Sequence, residues 1–108
     1  CFLSATREGG RLMSARMAAW RGEAPKSVDP TPVYASIARI APYAGLVHAK
    51  THEFDERGRP IDLDVVRALR IVRDTGYDGP ISLEYEGNEG DPWEQTMRTQ
   101  ALVEEAFG

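Results

Sequence analysis

Apolar positions along this chain change their period at about residue 30. Before it, Leu12, Met13, Met17 and Trp20 sit among arginines that recur every four or five residues (Arg7, Arg11, Arg16, Arg21). That spacing predicts at most a short helix bounded by Gly9-Gly10 and by the stretch from Gly22 to Pro32, on an otherwise irregular basic arm over 1–29. A loose terminus is the plainer expectation for this arm, and a docking helix for a partner the sharper one. From Pro32 the pattern is regular. Val33, Ile37, Ile40 and Ala41 keep helical spacing until Pro42 stops them. Ala44 to Lys50 reads as a short buried strand, and Glu53 to Pro60 as a charged loop. Asp62 is placed to cap a helix running to about Thr75, with Val65, Val66, Leu69 and Val72 on one face. Gly76 stands where a left-handed residue ends such a helix. Ile81 to Glu86 forms a second strand after the Asp78-Gly79-Pro80 turn. Asp91-Pro92-Trp93-Glu94 then opens a last helix with a cap, a proline at the first helical position and a capping-box glutamate.

The order helix, strand, helix, strand, helix implies parallel strands joined by helical crossovers, an α/β fold. Two parallel strands make an incomplete sheet, because parallel sheets are covered on both faces and need neighbours. Self-association through open sheet edges is therefore expected.

Strand phase decides where the chemistry falls. Val47 and Ala49 share one side of the first strand, and His48 and Lys50 the other. In the second strand Ile81, Leu83 and Tyr85 oppose Ser82, Glu84 and Glu86. If the apolar sides pack under helices, His48, Lys50 and Glu84 point together to the opposite face. A buried Glu or Lys there asks for a cation or counter-charge. An imidazole nitrogen and a carboxylate on adjacent strands suit Mn²⁺, Mg²⁺, Co²⁺ or Zn²⁺. A lone strand histidine is more often a satisfied core residue, and a lone strand glutamate more often an edge carboxylate paired with an arginine. The three in one phase shift the balance toward a site. His52, in the loop, reads as an exposed histidine, and Glu86 as an alternative to Glu84.

Composition narrows the classes. The chain has 108 residues with a formal charge of −4. Residues 1–29 hold five Lys or Arg against three Asp or Glu, and residues 30–108 eight against fourteen. An acidic body argues against nucleic-acid binding, which relies on neutralising phosphates. No apolar run is long enough for a membrane span. The single cysteine, Cys1, allows no internal disulfide, which fits a reducing, cytoplasmic setting. A chain that begins Cys1-Phe2-Leu3 is expected to be processed or part of something longer.

The run from Pro42 to Lys50 (PYAGLVHAK), the loop with Gly58, Ile61-Asp62 and the run from Gly76 to Gly87 (GYDGPISLEYEG) resemble the closing segment of xylose isomerase-like sugar-phosphate isomerases and epimerases. The resemblance covers residues 30–108. It implies strands seven and eight, with flanking helices, of a (β/α)8 TIM barrel, and a sugar or sugar phosphate as the small-molecule partner. By position it implies His48 and Glu84 as ligands of a divalent metal, Glu84 as a proton-transfer group, and Lys50 as a catalytic residue contacting substrate oxygen. Arg57 and Arg59, in the loop after strand seven, are candidates for a substrate phosphate or carboxylate, or simply part of a solvated loop. The Gly87–Gly90 turn has the outline of an anion cradle, but Glu86, Glu89 and Asp91 around it oppose one.

The family's site also needs a glutamate and an aspartate from earlier strands. Ala24 to Pro30 has no strand character, and Asp29 lacks the apolar run that a strand ligand would follow. The isolated chain is accordingly expected to bind Mn²⁺ weakly and to isomerise nothing. The alternatives are a non-catalytic barrel remnant and a metal-dependent apurinic endonuclease, which would need more histidines and a basic face.

Overall fold

A computed structural model of the chain describes residues 29–108, together with Arg11, Ser14, Met17, Ala18, Arg21 and Gly22. Arg11, Ser14, Met17 and Ala18 are helical, and Ala18 is buried. The rest of the basic arm, including Gly9-Gly10, Leu12, Met13 and Trp20, lies outside the described residues.

Over the described residues the fold is mixed α/β with two parallel strands. Helix α1 (Thr31–Ile40) is followed by a 3-10 turn (Ala41–Tyr43), strand β1 (Val47–Thr51), helix α2 (Val65–Asp74), strand β2 (Ile81–Tyr85) and helix α3 (Pro92–Phe107). Helix α1 starts two residues earlier than its apolar spacing predicts. Pro32 lies in its first turn, where a missing N–H leaves no helical bond unmade. The Asp29 carboxylate accepts from the Thr31 amide at 3.0 Å beside this start. Pro42 ends the α-helix as expected but continues the chain as the 3-10 turn.

The cap of α2 is Asp64, not Asp62. Its carboxylate accepts from the Arg67 amide at 3.0 Å, two residues later than the sequence pattern suggests. The intervening Leu63 is buried and belongs to the core, which delays helix entry. Tyr34 anchors the same point by accepting the Asp64 amide at 2.9 Å, with the Arg67 guanidinium 4.0 Å over its ring. Gly76 has φ +84° and donates to the Arg73 carbonyl, closing α2 in the left-handed conformation that only glycine adopts without strain. At α3, Asp91 accepts from the amides of Trp93 and Glu94 at 2.9 and 3.0 Å.

The strands pair in parallel with Val47 opposite Ile81, Ala49 opposite Leu83 and Thr51 opposite Tyr85. Val47, Ala49 and Thr51 are buried under the helices, and Ile81 and Leu83 pack against the same core. That core joins Val33 and Ile37 of α1, Val66, Leu69 and Val72 of α2, and Leu102 and Ala106 of α3. Thr51 and Thr99 are both fully buried, and their hydroxyl oxygens lie 2.7 Å apart, which ties β1 to α3. All five residues of β2 are only half-buried, since the described residues give it one neighbour and helices on one face.

Register also fixes the free edges. Val47 donates to the Pro80 carbonyl and Glu86 to the Thr51 carbonyl. In a parallel ladder alternate residues bond to the same neighbour, so Val47, Ala49 and Thr51 turn their backbone groups to β2. His48 and Lys50 turn theirs to the outer edge of β1, and Ile81, Leu83 and Tyr85 to the outer edge of β2. No helix among the described residues is long and apolar enough to cross a membrane.

Candidate functional site

Side-chain alternation that buries Val47, Ala49 and Thr51 puts His48, Lys50 and His52 on the other face of the sheet. Ser82, Glu84 and Glu86 of β2 lie beside them: His48 pairs in register with Ser82, and Lys50 with Glu84. Four close polar contacts link the group. His48 Nδ1 lies 2.5 Å from Glu84 Oε1, and Lys50 Nζ lies 2.9 Å from the other oxygen, Oε2. The same ammonium donates to Glu86 Oε1 at 3.0 Å, and His52 Nε2 lies 3.4 Å from Glu86 Oε2. Lys50 thus stands between two carboxylates, each flanked on its far side by a histidine.

Electrostatics follow from this arrangement. Hydrogen bonds from Lys50 and His48 hold the Glu84 carboxyl below its ordinary range. Glu84 and Glu86, in that order, hold the Lys50 ammonium above its usual value, outweighing desolvation. At neutral pH Lys50 is therefore a cation and Glu84 an anion. Lys50 donates hydrogen bonds and does not serve as a base. The Glu84 side chain is about a third exposed, so the row is reachable from solvent.

The structure brings together His48, Lys50, Glu84 and Glu86 from the sequence reading. His52, expected to be an exposed loop histidine, belongs with them. Its side chain is only 16% exposed, because the β1 alternation of His48 and Lys50 continues one step past the strand. That i, i+2 spacing was the signal available in the sequence. Glu84 has Lys50 and His48 as its partners, not the arginine of the plainer edge-carboxylate reading.

Arg57 and Arg59 do not join this row. Both amides donate to Asp55 Oδ1, at 2.8 and 2.9 Å, within a turn where Gly58 takes φ +73°. The Arg59 guanidinium makes a two-pronged pair with Glu105 of α3, at 2.7 and 3.2 Å. In the Gly87–Gly90 turn the Asn88 amide donates to Glu53 Oε1 at 2.6 Å, so the protein's own carboxylate sits where an anion would be received.

By donor type the row suits a divalent metal, but its arrangement does not fit one as it stands. His48 Nδ1 and Glu84 Oε1 bond to each other instead of converging on a common point, and Lys50 holds the second oxygen. Among the described residues no group of three or more His, Cys, Asp or Glu is placed to hold a metal ion.

No protein-family model, curated protein or solved structure matches the chain. The resemblance to the isomerases and epimerases rests on the two strand motifs and on the phase of the polar row.

Proposed function

We propose that this chain forms the last two strands of a xylose isomerase-like (β/α)8 barrel, acting on a sugar or sugar phosphate in a cytoplasmic setting. The observation that carries the reading is the polar row itself. Two parallel strands turn their apolar sides to the helices and gather His48, Lys50, Glu84 and Glu86 on the side a barrel interior would occupy. Both outer edges of the sheet are open among the described residues, which suits a wall continued by further strands.

In such a site Lys50, kept protonated, donates to a substrate oxygen beside the reacting carbon. Glu84, kept ionised, accepts the proton from that carbon once it gives up one of its present partners. His48 orients the carboxylate through its hydrogen bond. With Lys50 holding Glu84 and Glu86, a divalent ion of the kind this family uses would need its ligands from strands outside this chain, and the 108 residues alone are expected to be inactive.

Deuterium wash-in from solvent at the carbon beside the carbonyl tests this, on a panel of aldoses, ketoses and their phosphates with Mn²⁺ present. The longer polypeptide read from the encoding gene should catalyse wash-in and lose it in Glu84→Gln. The 108-residue chain should show none. If the gene supplies no further strands, or the longer product shows no Glu84-dependent exchange, the catalytic reading fails and a non-catalytic barrel remnant remains.

A further inference from the structure

We infer that Lys50 is the resident cation of the polar row and excludes divalent metal from it: the ammonium occupies the place between Glu84 and Glu86 that a metal ion would take.

The geometry is specific. Nζ lies 2.9 Å from Glu84 Oε2 and 3.0 Å from Glu86 Oε1. A divalent ion binds carboxylate oxygen at roughly 2.0 to 2.6 Å. Two carboxylates that already grip an ammonium would need to close by less than about 1 Å each to grip a metal. His48 and His52 stand on the far sides of the same two carboxylates. Removal of the ammonium would leave two anions facing one space, oxygen donors of the kind Mn²⁺ accepts, each held from its other side by an imidazole. With Lys50 present, an entering ion must displace a bound cation and leave it half-buried without its partners, which is costly. Lys50 pairs in register with Glu84, so the backbone holds the stem of its side chain beside that carboxylate.

The inference goes beyond the barrel reading and does not need it, since every group involved lies on β1, on β2 or just past their ends. If wash-in never appears, the cation assignment is untouched. If the assignment fails, the barrel reading stands.

The full chain and its Lys50→Met variant are titrated with Mn²⁺, following the loss of the free-ion electron paramagnetic resonance signal. The parent should bind weakly. Lys50→Met should bind one ion more tightly by roughly tenfold or more, given the charge removed at this distance. Adding Glu84→Gln to Lys50→Met should abolish the gain. Equal affinity in parent and Lys50→Met, or no binding by either up to millimolar metal, overturns the inference. Lys50→Gln provides the same comparison if the methionine variant does not fold. Acetylation of the parent needs no variant at all. Mn²⁺ should leave the Lys50 labelling rate unchanged, because the ammonium keeps its place between the two carboxylates. A Lys50 rate that rises at micromolar Mn²⁺ would also overturn the inference.

Discussion

The buried Thr51–Thr99 contact yields an asymmetric prediction. Thr99 Oγ1 donates to the Gln95 carbonyl at 3.0 Å, and a hydroxyl has one proton to give. Thr51 must therefore be the donor across the 2.7 Å contact with Thr99. Thr51→Val removes that donor and leaves every remaining polar group satisfied, at a cost of about 1 kcal/mol. Thr99→Val strands the Thr51 hydroxyl in a fully buried place, and the penalty for an unsatisfied donor raises the cost to about 2 kcal/mol. With both threonines replaced no donor is stranded. The double variant should then cost less than the sum of the singles by about 0.5 kcal/mol or more. Urea unfolding followed by far-ultraviolet circular dichroism, at one fixed low protein concentration, measures all three. A Thr51→Val cost equal to or larger than that of Thr99→Val, or strict additivity, would refute the donor assignment.

Further expectations follow from the same contacts. Asp64→Ala and Asp91→Ala should each cost about 1 kcal/mol through a lost helix cap, read from the same urea curves. Gly76→Ala should cost about 1 kcal/mol or more, because its φ of +84° strains any residue with a Cβ. The Glu84 carboxyl is depressed in the fold, so the unfolded chain binds its proton more readily. Its contribution is complete above the ordinary value of 4.5 and is lost as pH falls below that through the folded value. The urea midpoint should drop on that acid limb, and Glu84→Gln should flatten the drop. Lys50 is raised, so its contribution is present below 10.5 and lost as pH climbs past it. The parent chain should also associate with rising concentration in sedimentation velocity, through its open sheet edges.

Much of the fold is legible in the sequence because local signals agree with burial. The α2 stripe of Val65, Val66, Leu69 and Val72 is buried as its spacing requires. The Asp91-Pro92 start of α3 and the Gly76 stop of α2 are local chemistry, and both stand where the sequence puts them. The parallel pairing and the shared phase of His48, Lys50 and Glu84 follow from strand alternation. What was not legible depends on tertiary contact. Asp62 and Asp64 are equivalent as caps until burial of Leu63 and the Tyr34 hydroxyl select the second. The Arg59 fork needs Glu105, 46 residues away. His52 keeps the i, i+2 spacing of His48 and Lys50, but only its contact with Glu86 shows that the alternation runs past the end of β1. The bridging position of Lys50 follows from pairing register, which no single strand reveals.

The central claim is that β1 and β2 belong to a wall that continues on both sides. Amide hydrogen exchange on the monomeric chain tests it most directly. The account predicts fast exchange at His48, Lys50, Leu83 and Tyr85, whose amides face the outer edges, and slow exchange at Ala49, Thr51 and Glu84, which face the partner strand. Protection at all seven in a monomer would mean that this chain covers its own edges. That would leave no place for further strands and would contradict the account.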